Sequence, residues 1–177
     1  LEVELRIDWR EQERILKLAF PLDVHADRVA AETQFGHLFR PTHTNTSWDA
    51  ARFEACQHRF IHVAEPGYGV AIANDSTYGY DADRVARAGG GTVTTVRFSI
   101  IRGPRFPDPE SDQGLHVVRF LVRPGASIGD AVALGYELRN PIRPVGGSGS
   151  VTPIVGSSDP AVVIETVKLA EDGSGDL

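Results

Sequence analysis

Methionine is missing from all 177 residues, position 1 included, and cysteine occurs once. A single thiol, Cys56, cannot close a disulfide within the chain, so packing and hydrogen bonds must hold the fold, and a reducing, cytoplasmic compartment is allowed. No apolar run reaches the roughly 20 residues that a membrane-spanning helix needs. The first residues lack the basic, apolar and small-residue order of a signal peptide. Charge of one sign is also scarce: 24 acidic against 18 basic side chains leave a net −6. So mild a balance gives no broad footprint for nucleic acid or an anionic membrane, and neither is expected as a partner. With 41% hydrophobic and 24% charged residues the chain is nevertheless globular in composition.

Several catalytic signatures are missing too. There is no His-Glu-x-x-His sequence and no cysteine pair, so the six histidines, including His58 and His62 four apart, read as structural rather than as metal ligands. No Gly-x-Ser-x-Gly elbow occurs. Cys56 stands between Glu54 and His58 in a strand-like run, where a small thiol reads as core packing before it reads as a nucleophile. Gly89-Gly90-Gly91 has no following Lys-Ser or Lys-Thr and reads as a turn, not a phosphate cradle.

What is present is strand signal. Leu1 to Arg10 alternates apolar and charged residues without a break, as a strand with one buried face does. Further strand signals run at Leu16–Phe20 (stopped by Pro21), Val29–Phe35, Phe53–Val63, Gly69–Ala73, Thr92–Ile101, Leu115–Val122 and Val162–Val167. Gly69–Ala73 is short and wholly apolar, as a strand covered on both faces would be. Seven to nine strands at close spacing predict an all-β sandwich. One helix is expected near 127–139, opened by a capping box at Ser127 and Asp130 and ended by Asn140-Pro141. Long loops are expected at Gly36–Trp48, Asn74–Gly91 and Arg102–Gly114, with a flexible Gly, Ser and Pro-rich stretch over 144–160. A strand already in full stride at Leu1, with no initiating methionine, predicts one sandwich domain over 1–177 cut from a larger protein.

The loops carry an ordered series of motifs. Arg40-Pro41-Thr42-His43-Thr44-Asn45-Thr46-Ser47-Trp48-Asp49 is followed by Arg52-Phe53-Glu54, His58-Arg59-Phe60 and Glu65-Pro66-Gly67-Tyr68-Gly69. Then come Asn74-Asp75 with Tyr78-Gly79-Tyr80, Arg102-Gly103-Pro104-Arg105-Phe106-Pro107-Asp108-Pro109 and Asp112-Gln113-Gly114. In this order and spacing they resemble the C-terminal β domain of glycoside hydrolase family 38 α-mannosidases, in the cytosolic, vacuolar and bacterial subgroup. Val163 to Gly173 resembles the same family.

The resemblance implies a β-supersandwich of the galactose mutarotase type within a retaining exo-α-mannosidase of several domains. It implies an α-mannoside oligosaccharide as substrate, and a separate N-terminal domain carrying zinc or a similar divalent ion, the Asp nucleophile and a second acid. None of those motifs occurs here, so no catalytic or metal residue is carried over. Homo-oligomerisation stays open. In the family a loop of the large β domain places an arginine near the bound sugar, and Arg102 and Arg105 stand in the stretch that resembles it. The residues allow two roles. A planar guanidinium can donate paired bonds to vicinal sugar hydroxyls, or it can pair with Asp108, Glu110 or Asp112 to hold the loop. Asp75 and Tyr78 are weaker substrate-binding candidates that could instead support that loop. Trp48 could stack on a sugar face but reads first as a core or interdomain side chain, and the Thr42–Ser47 hydroxyls read as a brace. Alternatives to a part of an enzyme are a free-standing carbohydrate-binding module and a purely structural brace.

Overall fold

The computed structural model describes residues 1–150, 152–159 and 161–176. They fall into two compact units, Leu1–Ile142 and Arg143–Leu177. The first unit holds ten strands and two helices: β1 (Glu2–Trp9), β2 (Leu16–Leu22), β3 (Arg28–Thr33), β4 (Gly36–Pro41), α1 (Ser47–Ala51), β5 (Ala55–Cys56), β6 (Phe60–Glu65), β7 (Tyr68–Asn74), β8 (Gly79–Ala86), β9 (Thr92–Ile101), β10 (Gly114–Pro124) and α2 (Ile128–Arg139). A six-stranded sheet runs β1-β10-β7-β6-β3-β4, and a four-stranded sheet runs β2-β9-β8-β5. All pairings are antiparallel. The two sheets pack face to face, which is the all-β sandwich expected.

The alternation of β1 is realised in its burial, with Val3, Leu5, Ile7 and Trp9 turned toward the protein and Glu2, Glu4, Arg6 and Asp8 toward water. Between the sheets, Val29, Ile61, Val63, Ile72 and Phe120 meet Tyr80, Val96 and Phe98. The rings of Phe20, Phe98 and Phe120 pack together with centroids 5.1–5.9 Å apart, two of the pairs edge-on. A second core lies on the opposite face of the six-stranded sheet, where Ala131, Leu134 and Leu138 of α2 cover Phe60, Ala71 and Ala73. This is why Gly69–Ala73 is apolar on both sides.

Small residues bring α2 close. A side chain at Gly135 would meet Arg59 Cβ at 2.9 Å, and one at Gly69 would meet the Ala126 carbonyl and His62 at 2.5 Å. Gly135, a weak helix former, is therefore required by packing. The capping box at Ser127 forms as expected: its hydroxyl accepts from Asp130 N, and Asp130 accepts from Ser127 N at 2.8 Å. Arg59 lays its guanidinium over the Tyr136 ring at 3.9 Å and pairs with the buried Glu32, tying β3, β6 and the helix together.

Several expectations are corrected. Pro21 does not stop β2, because β2 is an edge strand that pairs with β9 alone and can tolerate a missing N–H. Phe35 is not in a strand; it turns the chain at φ 62 into β4. Gly36–Pro41 is a strand, not a loop, and the expected single helix is joined by the one-turn α1, capped by Thr46 and Asp49. Gly79–Ala86 is a full strand inside the expected Asn74–Gly91 loop. Its acids are compatible with a sheet because Arg97, directly opposite Asp81, pairs with both Asp81 and Asp83. Phe53–Val63 is split into β5 and β6.

Val162–Val167 forms no strand: β-branched residues alone do not make a ladder, and the second unit offers no partner strand among its described residues. Residues 151 and 160 of the expected flexible stretch lie outside the described residues.

Leu134→Ala should lower the stability of the chain by about 2–5 kcal/mol, because it opens a cavity under α2. Urea denaturation followed by circular dichroism measures this, and an unchanged midpoint would contradict the second core.

Candidate functional site

The segment from Arg102 to Gln113 links β9 to β10 at the end of the sandwich where β1 gives way to β2. Trp9 pairs with Gly114 at the mouth of that connection, so the 10–15 turn and the 102–113 loop leave the sheets side by side. They are bonded to each other. Glu13 N donates to Gly103 O at 2.7 Å, Gln113 Nε2 to Glu11 O at 2.9 Å, and Gln12 Nε2 to Pro109 O at 3.3 Å.

Within the loop the acids serve the backbone. Asp112 accepts from the amides of Arg102 at 3.3 Å and Gly103 at 3.0 Å, while its own carbonyl lies 2.8 Å from His116 Nε2. Asp108 accepts from Glu110 N at 2.9 Å. Gly103 has φ 57, and a side chain there would strike Glu11 O at 2.7 Å and Trp9 Nε1 at 2.8 Å. Only glycine suits this crossing.

The arginines are left facing outward. Arg102 is exposed and forms no ion pair among the described residues. Arg105 lies 3.6 Å from Glu13 through side chains that are both more than half exposed. So open a pair contributes little to stability. The pairing with Asp108, Glu110 or Asp112 allowed by the sequence is not formed. Arg102 and Arg105, with Pro104 and Phe106, wall an open depression of about 510 Å³ whose other side is Glu13, Arg14 and Ile15. That second wall is unmarked in the sequence, where residues 11–15 belong to no motif and to neither flanking strand signal.

Asp75 and Tyr78 do not line this depression. Asp75 accepts from Arg119 N at 3.0 Å, Arg119 Nε at 3.1 Å and Ser76 Oγ at 2.8 Å. Burial alone would push its carboxyl pKa up; the bonds from Arg119 and Ser76 outweigh burial and hold it below the ordinary value. Its neighbour Asn74 is fully buried and donates to Gln57 Oε1 and His58 O, while Thr77 N donates to Asn74 Oδ1. Tyr78 is half-exposed, with its ring edge-on to His58 at 5.8 Å.

The remaining candidates resolve as follows. His62 is buried and bonds to Ala126 O at 2.8 Å, a structural histidine. Cys56 is exposed on the edge strand β5, not packed in the core as expected, because the two-residue strand ends there. Trp48 is 76% exposed on α1 and takes no part in the core of this unit. Thr42 does brace its segment: its buried hydroxyl donates to Ala26 O at 2.6 Å. No group of three His, Cys, Asp or Glu among the described residues could hold a metal ion.

Two variants check this geometry. Gly103→Ala should displace the 102–113 loop and lower stability by about 1–3 kcal/mol, read as a fall in the urea midpoint with changed amide shifts from Arg102 to Asp112. Asp75→Asn tests the pH dependence. A carboxyl whose folded pKa lies below its unfolded one stabilises fully above the unfolded value, 3.8 for a free Asp, and loses that contribution as pH falls through the folded pKa. The variant should therefore be less stable than the parent at neutral pH, with the difference shrinking below about pH 4. A constant difference across the acid range would contradict the assignment.

Comparison with known proteins gives a consistent result. Residues 1–110 match the family model of the glycosyl hydrolases family 38 C-terminal domain. Over 93% of its length the chain is 38% identical to alpha-mannosidase 2C1 of Homo sapiens, and over 94% it is 34% identical to alpha-mannosidase of Saccharomyces cerevisiae. It spans only about 16% and 15% of those relatives. A crystal structure of an alpha-mannosidase from Enterococcus faecalis superposes with a TM-score of 0.64 at 19% identity, covering 79% of this chain and 16% of that one, a likeness of fold. The matched span is most of the sandwich and reaches into the Arg102 loop: the chain belongs to the glycosyl hydrolase family 38 C-terminal domain family.

Proposed function

We propose that this chain is a non-catalytic β-sandwich part of a retaining exo-α-mannosidase, and that it completes the sugar-binding pocket of a catalytic domain elsewhere in the same polypeptide. The substrate class is an oligosaccharide ending in α-linked mannose. One observation carries the reading: the 102–113 loop is held by its own carboxylates and the 10–15 turn, and its two guanidinium groups face outward without a tight partner.

A braced loop loses little conformational freedom when it binds, and a fork of N–H donors suits vicinal hydroxyls. Arg102 and Arg105 are the substrate-binding candidates. Tyr78 is a secondary one, with a half-exposed ring and hydroxyl. Asp75 acts through Arg119, as a support. The divalent ion implied by the family finds no group of three His, Cys, Asp or Glu among the described residues, and we assign it, with the nucleophile and acid, to the catalytic domain. A cytoplasmic setting suits the exposed thiol of Cys56.

Two measurements test this. The isolated chain should not turn over p-nitrophenyl α-mannoside, and calorimetry should detect no millimolar binding of mannose or short mannosides. Turnover that survives a chelator would sink the assignment, and millimolar or tighter binding would favour a free-standing module. In the full-length enzyme, Arg102→Ala and Arg105→Ala together should lower kcat/KM by about tenfold or more. Normal kcat/KM in that double variant would make the loop a brace only.

A further inference from the structure

A second pocket, of about 160 Å³, opens between the two sheets at the edge formed by β4 and β5. It gathers Arg40, His43, Asp49 and Arg52 from β4 and the segment that follows, together with Tyr80 and Asp81 from β8. Its polar groups are not in balance.

The acids are engaged. Asp49 accepts from Thr46 N and Thr46 Oγ1 in the α1 cap, and Asp81 accepts from Lys17 Nζ at 2.6 Å and from Arg97. The donors are not. Arg40 Nε and Tyr80 Oη are both buried and close enough to each other to interact, yet neither makes a hydrogen bond of good geometry, and His43 Nδ1, 3.6 Å from Asp49, makes none. Tyr80 is 1% exposed, yet it lines this pocket. Leaving a buried donor unmade costs about 1–3 kcal/mol. Two such donors, Arg40 Nε–H and Tyr80 O–H, around one space point to a missing acceptor. The third carboxylate of the lining, Glu54, lies 4.0 Å from Lys17 Nζ, whereas neither Arg40 nor Arg52 has an ion pair among the described residues.

We propose that this pocket binds a small oxyanion, a phosphoryl or carboxylate group, held by Arg40 Nε–H and Tyr80 O–H with His43 at its rim. The two chief donors are suited to it. Arginine stays charged throughout the physiological range. Burial pushes the Tyr80 hydroxyl up to about 12 against the opposing pull of Arg40, so it remains a donor. The size accommodates a compact ion and excludes an oligosaccharide. The site is thus distinct from the depression at Arg102 and Arg105, and it shares no lining residue with it.

The probes are inorganic phosphate and acetate, each titrated into the 177-residue chain at constant ionic strength set with sodium chloride. Thermal shift and the Arg40 Nε–Hε resonance are the readouts. The expected result is a saturable rise in Tm with a matching shift of that resonance. Response to phosphate alone identifies a phosphoryl site, and response to acetate identifies a carboxylate site. Arg40→Gln should weaken binding about tenfold or more, and Tyr80→Phe about fivefold. The resonance needs no variant, so it decides the matter even if Arg40→Gln fails to fold. A response to both probes no larger than that to sodium chloride means that the pocket holds water only, and it overturns the proposal. Undiminished binding in Arg40→Gln overturns it as well.

Discussion

Carboxylates that accept from main-chain N–H groups hold this fold at its joints. Glu32 takes the amide of Arg59, Glu65 that of His25, Asp75 that of Arg119, Asp112 those of Arg102 and Gly103, and Asp49 and Asp130 those of the two N-caps. Charge-assisted bonds of this kind are stronger than neutral ones, and each fixes a chain segment that the sheets themselves do not pair. Glu32 and Asp75 also hold the guanidinium of the arginine whose amide they take, whereas Asp49, Asp112 and Asp130 pair with no guanidinium among the described residues, and some arginines are left at the surface or beside a pocket without a tight carboxylate partner. Arg102, Arg105 and Arg40 are the clearest cases.

The core makes this economy possible. The six-stranded sheet is covered on one face by the four-stranded sheet and on the other by α2, and its central strands β6 and β7 are dry on both sides. With the sheets fixed, the connections at their ends need only a few polar bonds to hold one conformation. The 102–113 loop draws its bonds from its own acids and from the adjacent 10–15 turn. It therefore projects two cations without depending on them.

Elements whose pattern was set by burial were legible in the sequence. The alternation of Leu1–Arg10 is β1, the apolar run Gly69–Ala73 is the doubly covered β7, and the Ser127–Asp130 box opens α2. Elements whose pattern was set by partners were not. β4 lies at a sheet edge and exposes His37 and Phe39, so Gly36–Pro41 reads as a loop. Asp81 and Asp83 hide β8 until Arg97 and Lys17 are seen beside them. Val162–Val167 misleads in the opposite sense, with strand-forming residues and no strand to join. At the site, Arg102 and Arg105 were readable from the family resemblance. That Asp112 clasps the loop through its amides was not readable, and the Glu13–Ile15 wall depends on a contact between turns some 90 residues apart in sequence.

The central claim is that acids, not arginines, hold the 102–113 loop. Amide hydrogen exchange tests it most directly. The Gly103 amide should be protected in the parent chain, equally protected when Arg102 and Arg105 are both replaced by alanine, and unprotected in Asp112→Ala. If removal of the two arginines frees that amide as fully as removal of Asp112 does, the guanidinium groups are clasps and the account is wrong.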